Sequence, residues 1–232
     1  MTQLFFIRHG QSTNNALADP TQRVQDPELT ELGQIQAQRV AGYLAANSHL
    51  KGSLSNPEGA PLDRLYCSAM VRAVHTATPI GQALDLNPEV YVDLHEIGGI
   101  YLDYPDGRIE SFPGQTRSEL SARFPDCLPP NTLDEAGWWR GGRESEEEAL
   151  QRASKVADEL LQRTDDDSRI GLVTHGDFMS YLIKALIGAP QGKTPYLYHC
   201  NTAITCVELS PNKGLTTRYT NRTEHLEENH VT

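Results

Sequence analysis

Two stretches of the chain each place a histidine and a glycine directly after an apolar run. Residues 4–7 lead into Arg8-His9-Gly10, and residues 169–174 lead into His175-Gly176. A neutral imidazole can act as a nucleophile, and a guanidinium group binds oxyanions through two parallel N–H donors. This combination suits transfer of a phosphoryl group, which needs a nucleophile, cations around the phosphate oxygens and an acid for the departing alkoxide.

The apolar runs before the two histidines predict buried strands. A strand that is covered on both faces is apolar at successive positions, and open α/β sheets bind ligands at the carboxyl ends of their strands. We therefore expect His9 and His175 to meet at one edge of a parallel sheet. Apolar residues at helical spacing between Phe178 and Ile187 predict a helix directly after the second histidine.

A third junction of this kind lies between the two histidines. Residues 63–67 predict a short strand that ends at Ser68, and the apolar positions from Val71 to Ile80 predict a helix. Arg72 then falls in the first turn of that helix, where free backbone amides and the helix dipole also favour an anion.

With Ser68 through Arg72-Ala73 and Glu96 added, the pattern resembles the histidine phosphatase superfamily, which includes the cofactor-dependent phosphoglycerate mutases. The resemblance extends from Leu4 to about Thr205 and is loose between about residues 102 and 143. It implies an α/β fold, a three-layer α/β/α sandwich whose mainly parallel sheet has helices on both faces.

The resemblance also implies catalytic roles. His9 is the expected nucleophile, which would carry the phosphoryl group as phosphohistidine. Arg8 and Arg72 are expected to hold the phosphate oxygens and to lower the pKa of His9, because neighbouring cations oppose an imidazolium. His175 and the backbone amide of Gly176 are expected to donate to the oxygens as charge grows in the transition state.

Further residues of the resemblance concern the phosphate and its loop. Asn15 matches an asparagine that contacts phosphate in the family. Gln11 stands where an acidic residue is commoner, and a hydrogen bond within the loop is its alternative role. Asn201 and Thr202 resemble a pair at the start of a late strand that supports either His175 or the phosphate.

Glu96 stands where the family places its proton donor. A carboxyl group near a phosphate dianion has a raised pKa, so it can stay protonated near neutrality. Asp93, Asp103 and Asp106 are nearby alternatives, and we expect Asp93 to be structural because residues 89–94 predict a strand.

The leading hypothesis is a metal-independent phosphomonoester hydrolase that acts on a small phosphorylated metabolite without a cofactor. Phosphoglycerate mutase activity is the alternative, although Glu96 is followed by Ile97-Gly98-Gly99 rather than by the basic run with which mutases hold a bisphosphate. A non-catalytic phosphate-binding or scaffold protein is a further alternative. No His-x-x-x-His or paired-cysteine spacing favours a metal site.

The 232 residues suit a single domain, 1–232, in which the Pro-, Gly- and aromatic-rich segment from about 100 to 143 forms a cap. Within the cap, Trp138 and Trp139 either pack against the core or flank the mouth of the site.

Composition limits partners and location. The net charge of −11, with acidic runs at 144–148, 165–167 and 224–228, is interpreted as solvated surface and disfavours nucleic acid. No apolar run reaches the roughly 20 residues of a membrane span. The four cysteines show no Cys-x-x-Cys pair and no leader precedes Leu4, which favours the cytoplasm. The oligomeric state is left open.

The remaining elements follow from periodicity and turn residues. Thr30 is the expected cap of a helix that buries Ile35, and residues after 221 are expected to fray. The other expectations are a loop at 56–61, helices at 116–124 and 145–163, and a hairpin of strands 201–209 and 215–219 around the turn 210–214.

Overall fold

The computed structural model describes residues 1–51, 59–163, 167–189, 195–210 and 214–232. Within these residues, six strands form one sheet in the order β3-β2-β6-β1-β7-β8, and two more form a small hairpin, β4-β5. The strands are β1 (Thr2–Arg8), β2 (Arg64–Cys67), β3 (Glu89–Val90), β4 (Tyr101–Asp103), β5 (Ile109–Ser111), β6 (Arg169–Thr174), β7 (Ile204–Ser210) and β8 (Gly214–Arg222).

The larger sheet is mainly parallel, as predicted. Strand β1 pairs in parallel with β6, β6 with β2, and β2 with β3. Strands β7 and β8 extend the sheet antiparallel from β1 and form the predicted hairpin. Residues 211–213 of its turn, residues 56–58 of the predicted loop and residues 165–166 of the second acidic run lie outside the described residues.

Helices cover both faces of the sheet, so the three-layer α/β/α expectation is confirmed. The helices are α1 (Glu31–Ala45), α2 (Val71–Leu84), α3 (Arg117–Arg123), α4 (Glu146–Leu161) and α5 (Gly176–Leu186). Along β1, Phe5 and Ile7 pack into one core with α1 and α2, while Leu4 and Phe6 pack into a second core with α4 and α5. This alternation is why the strand is apolar at successive positions.

Local capping explains where several helices begin. Thr30 accepts a hydrogen bond from Gly33 N at the start of α1, as predicted. Thr116 and Ser145 start α3 and α4 with capping boxes, in which Glu119 and Glu148 bond back to the cap amide. Such reciprocal bonds satisfy amides that have no partner inside the helix.

The prediction that Ile35 faces the core is wrong, because its side chain is 43% exposed. The buried residues of α1 are instead Gly33, Gln36, Ala37, Val40, Ala41 and Leu44. The continuous strand at 89–94 is also wrong: β3 ends at Val90 and a 3₁₀ turn spans Val92–Leu94.

The prediction that the tail after Asn221 frays is wrong. Strand β8 continues to Arg222, and the chain then returns to pack beside α1. Gln36 of α1 is buried and donates to His230 O at 2.8 Å, while Asn201 N donates to Thr232 O at 2.7 Å. A buried amide side chain needs such partners, and the tail supplies them.

The segment between residues 100 and 143 carries the β4-β5 hairpin and α3. Trp138 is buried in the core that contains α1 and α2, and Trp139 packs partly buried against it. The packing interpretation of the two tryptophans is therefore confirmed. No helix of the described residues has the length and apolarity to cross a membrane.

Candidate active site

Three strand ends meet at one edge of the sheet. Arg8 of β1 pairs with Thr174 of β6, so His9 and His175 are the next residues in register. Ser68 follows β2, and its backbone N–H donates to Val173 O at 3.0 Å. Beside them lies a cavity of about 470 Å³, here called the inner cavity. Its walls include Arg8, His9, Asn15, Arg72, Glu96 and Gly176.

The ring of His9 is held by one acceptor and one donor. Nδ1 lies 2.6 Å from Gly10 O, and Arg72 Nε donates to Nε2 at 3.1 Å. Because a carbonyl can only accept and a guanidinium can only donate, the proton belongs on Nδ1 and the lone pair on Nε2. Burial, reinforced by Arg72 and Arg8, lowers the pKa of His9 well below 6.5. The ring is therefore neutral at neutral pH.

The loop after β1 is fixed by close backbone packing. A Cβ atom at residue 10 would lie 2.5 Å from Gly33 O, so only glycine lets this loop touch the start of α1. Asn201 Nδ2 donates to His9 O at 2.8 Å, and Thr202 N donates to Arg8 O at 3.0 Å. This pair thus supports the backbone of the His9 loop, rather than His175 as the sequence allowed.

Arg72 lies in the first turn of α2, as predicted, and is oriented by a residue that the sequence did not single out. Its Nη1 lies 3.7 Å from Asp26 Oδ1. Asp26 also accepts from Val71 N at 3.2 Å, at the amino end of α2. Burial outweighs the attraction of Arg72 and raises the pKa of Asp26 to about 6.

The guanidinium group of Arg8 has one nitrogen bonded to the backbone and a second nitrogen buried beside Gly176. Its Nη1 donates to His199 O at 2.7 Å. Its Nε is buried and has no hydrogen-bond partner among the described residues. A Cβ atom at residue 176 would lie 3.3 Å from that Nε, so Gly176 keeps the space beside the donor open. An anion in the inner cavity would satisfy it.

His175 lies behind His9 and does not itself line the inner cavity. The two ring centroids are 5.0 Å apart, and His175 Nε2 lies 2.8 Å from Ser68 Oγ. Its Nδ1 is buried and has no hydrogen-bond partner among the described residues. Burial first, and then the charge of Arg72, lowers the pKa of His175 well below its ordinary value.

Glu96 is held at the amino end of α5. Its Oε1 accepts from Phe178 N at 2.9 Å and from Ile97 N at 3.0 Å, and its Oε2 accepts from Asp177 N at 3.4 Å. Burial and the nearby charge of Asp177 raise the pKa of Glu96, opposed by Arg72 and these amides. The carboxyl group lines the same cavity as His9.

The chain matches a known protein family over most of its length. The model of the histidine phosphatase superfamily (branch 1) matches residues 4–222. The chain belongs to the histidine phosphatase superfamily.

Individual relatives of this histidine phosphatase superfamily member are more distant. A PE-PGRS family protein, PE_PGRS11 of Mycobacterium tuberculosis, is 37% identical over 101 residues, which are 43% of this chain and 15% of that protein. This chain thus matches only a small part of that relative's length. A glucosyl-3-phosphoglycerate phosphatase of Mycolicibacterium vanbaalenii is 27% identical over 201 residues, which are 84% of this chain and 78% of the relative.

The fold of this family member matches solved structures. The phosphoserine phosphatase of Entamoeba histolytica, in complex with 3-phosphoglyceric acid, superposes with a TM-score of 0.59 at 23% identity and covers 98% of this chain and all of the other. At that identity the match concerns the fold, and it agrees with the predicted phosphoglycerate mutase-like sandwich.

A buried ion pair of this superfamily member supports the segment that carries Glu96. Arg152 and Glu144 form it at 2.7 Å, and Arg152 Nη1 also donates to Asp93 O at 2.7 Å and His95 O at 3.0 Å. Glu144 further accepts from Gly98 N at 3.2 Å. The interpretation of Glu144 as solvated surface is therefore wrong, because its charge neutralises Arg152.

The side chain of Asp93 does not line the inner cavity and instead pairs with Lys155 at 2.8 Å. Of the four carboxyl groups weighed from the sequence, Glu96, Asp93, Asp103 and Asp106, only Glu96 lines the inner cavity with His9. Asp93 lies on a 3₁₀ turn rather than on the strand that was expected.

The loop after His9 adds further polar groups. Asn15 lines the inner cavity, and its Oδ1 accepts from Ser12 N at 3.1 Å. Gln11 Oε1 accepts from Thr30 Oγ1 at 2.8 Å, which is the loop hydrogen bond considered as its alternative role.

Arg23, exposed and unremarked in the sequence, also lines the inner cavity, and its charge acts on Arg72. Among the described residues, no group of three or more His, Cys, Asp or Glu side chains is arranged to hold a metal ion.

Proposed function

We propose that the protein is a metal-independent phosphomonoester hydrolase that acts through a phosphohistidine on His9, with Glu96 as general acid. Membership of the histidine phosphatase superfamily and the named phosphatases among its relatives support phosphatase activity. The residue roles rest on the geometry of the inner cavity.

The observation that carries the proposal is the state of the His9 ring. Nδ1–H donates a hydrogen bond to Gly10 O and Nε2 keeps a lone pair at the cavity wall, so the imidazole is prepared to attack phosphorus. In the substrate complex, a phosphate oxygen replaces Nε2 as the acceptor of the Arg72 Nε–H.

The phosphate oxygens would be held by charged and backbone donors. Arg72, the free Nε of Arg8, the Gly176 amide and the dipole of α5 together supply the positive charge that the transition state needs. Asn15 adds an amide group. Ser68 Oγ accepts from Met70 N and can donate its own proton to His175 Nε2, which would put the ring proton of His175 on Nδ1, behind His9.

The reaction takes two steps. His9 Nε2 forms a bond to phosphorus as the ester P–O bond breaks, and protonated Glu96 gives its proton to the departing alkoxide. A water molecule then attacks the phosphohistidine, Glu96 accepts its proton, and the P–N bond breaks to release inorganic phosphate and restore His9.

The test combines turnover with trapping. Hydrolysis of p-nitrophenyl phosphate should persist in EDTA, and acid-labile, base-stable phosphate should appear on the wild-type protein but not on His9→Ala. Mutase activity would instead appear as phosphohistidine that resists water and as turnover that requires a bisphosphate primer. Phosphate binding without any turnover would leave the non-catalytic alternative and overturn the proposal.

The domain assignment belongs to the same proposal. Residues 1–232 act as one histidine-phosphatase-like domain, and residues 100–143 cap the site. Contact of Trp138 with the core that contains α1 and α2 supports this assignment.

A further inference from the structure

A second chamber adjoins the inner cavity. It has a volume of about 660 Å³, here called the outer chamber, and shares Ile97, Tyr101, Asp177 and Tyr196 with the inner cavity. Ligand pockets in proteins commonly measure about 300–1,000 Å³, so either space is large enough to hold part of a substrate.

The outer chamber lies on the side of Glu96. Ile97 follows Glu96 in the chain, and the backbone N–H groups of Ile97 and Asp177 both donate to the Glu96 carboxylate. In-line displacement puts the leaving oxygen opposite the attacking nitrogen, within reach of the general acid. A leaving alcohol that receives its proton from Glu96 therefore extends along the shared wall into the outer chamber.

Apolar and aromatic side chains form much of the outer chamber. Ile97, Ile109, Tyr101, Tyr181 and Tyr196 line it. The hydroxyl groups of two of these tyrosines are already used: Tyr181 donates to Glu146 at 2.9 Å and Tyr196 donates to Asp177 at 2.7 Å. The ring carbons therefore remain for contact with a ligand.

The charge of the outer chamber disfavours an anion. Its lining holds one guanidinium, Arg143, which pairs with Asp103 at 3.2 Å, and three carboxylates, Glu144, Glu146 and Asp177. Glu144 is neutralised by Arg152. Within the described parts of the chain, Glu146 and Asp177 have no basic side chain within salt-bridge distance, so both keep their negative charge facing this region.

We infer that the outer chamber is the leaving-group subsite and that it selects phosphomonoesters of uncharged, ring-bearing alcohols over those of alcohols that carry a carboxylate. This inference rests on the proposed phosphatase activity and adds the substrate class to it. Apolar contact favours rings, while Glu146 and Asp177 repel a second negative charge.

The experiment compares three aryl esters whose leaving groups are similarly basic: phenyl phosphate, 2-naphthyl phosphate and 4-(carboxymethyl)phenyl phosphate. We expect kcat/KM for the naphthyl ester to exceed that for the phenyl ester about tenfold, because the second ring buries apolar surface. We expect the carboxymethyl ester to fall about tenfold below the phenyl ester.

Two substitutions locate these preferences in the outer chamber. Ile109→Ser should lower the naphthyl-to-phenyl ratio at least about threefold. The matched control is Leu128→Ser, because Leu128 is equally exposed, at 49% against 48%, and does not line either space. Glu146→Gln, which can still accept from Tyr181, should raise the carboxymethyl-to-phenyl ratio about threefold.

The outcomes separate the two proposals. Equal kcat/KM values for the three esters would overturn the proposed leaving-group subsite but not the phosphatase activity. The same conclusion would follow if Ile109→Ser and Glu146→Gln left the ratios unchanged. Hydrolysis of none of the esters would overturn both. Ratios that change equally in Leu128→Ser would show a general effect of surface substitution and would also contradict the subsite.

Discussion

The two strand–histidine–glycine junctions have similar sequences but place their rings differently. His9 lies at the wall of the inner cavity between a carbonyl acceptor and the Arg72 guanidinium. His175 is the cap residue of α5, lies behind His9 and contacts Ser68. In both, burial keeps the pKa low, so both rings are neutral.

The difference shows that the hydrogen-bond partners of the two rings come from the tertiary structure and not from the local motif. A guanidinium beside Nε2 leaves His9 a lone pair for attack. A hydroxyl beside Nε2 allows His175 to accept there and to donate from Nδ1. In the proposed mechanism the first junction supplies the nucleophile and the second supplies a donor. The second junction also provides, through α5, the amide of Phe178 that holds Glu96.

Truncation of each histidine ring tests this difference most directly. His9→Ala should reduce kcat with p-nitrophenyl phosphate by at least about 10⁴-fold, because no other group takes over the attack. His175→Ala should cost about 10²–10³-fold, the usual effect of losing one transition-state donor. Steady-state kinetics on both variants measures this, and equal losses would contradict the separate roles.

Glu96→Gln tests the acid held by the second junction. We expect about a 10²–10⁴-fold loss for alkyl phosphates, whose alkoxides need a proton, and a much smaller loss for p-nitrophenyl phosphate. In the wild type, activity on alkyl esters should fall as pH rises through the raised pKa of Glu96, because the carboxyl group then loses its proton. If the Glu96→Gln variant shows the same fall in activity as pH rises, an ionisable group other than Glu96 causes it.

The low pKa of His9 determines the acidic side of the pH–activity profile. Activity should persist below pH 6.5, where an ordinary imidazole takes up a proton and loses its nucleophilic lone pair.

Arg152→Met tests the support beneath Glu96. It leaves Glu144 buried without a counter-charge, so we expect the free energy of unfolding to fall by about 3–5 kcal/mol in urea titrations. Arg140→Met, which breaks an exposed pair with Asp134, should leave the free energy of unfolding nearly unchanged.

If Arg152 also positions Glu96, activity of the folded Arg152→Met protein should fall more for alkyl than for p-nitrophenyl esters. An equal fall for both ester types would restrict Arg152 to stability.

The smallest effect is expected at Arg23. This exposed cation lines the inner cavity without touching the His9 ring, so Arg23→Ala should raise KM about three- to tenfold and leave kcat nearly unchanged. Arg39→Ala, an exposed arginine on α1, is the control. A fall in kcat equal to the rise in KM would show that Arg23 stabilises the transition state.

Local signals were sufficient for strands β1 and β6, for several helix caps and for the position of Arg72 at a helix start. The apolar run before His9, the Thr30 and Ser145 caps and the first-turn place of Arg72 are decided by neighbouring residues, and the structure agrees with them. The structure differs at Ile35, which is 43% exposed, and at residues 89–94, where the distant Arg152 donates to Asp93 O.

Asp26, Arg152 and Glu144 carry no motif that sequence could single out. Each matters through one distant partner: Arg72 for Asp26, and the backbone of residues 93–98 for the ion pair. Arg23 could not be identified from the sequence because only the tertiary structure places it at the wall of the inner cavity.

The sequence by itself determined the alternation of apolar strands and amphipathic helices, and with it which residues end the strands. These properties depend on side chains a few positions apart, so periodicity reveals them. Only the tertiary structure decided which nitrogen of each histidine is free, which carboxyl group lies beside His9 and where a leaving group can extend. Those properties depend on donors and acceptors brought from distant parts of the chain within about 3 Å, a distance that hydrogen bonding requires and that sequence spacing does not encode.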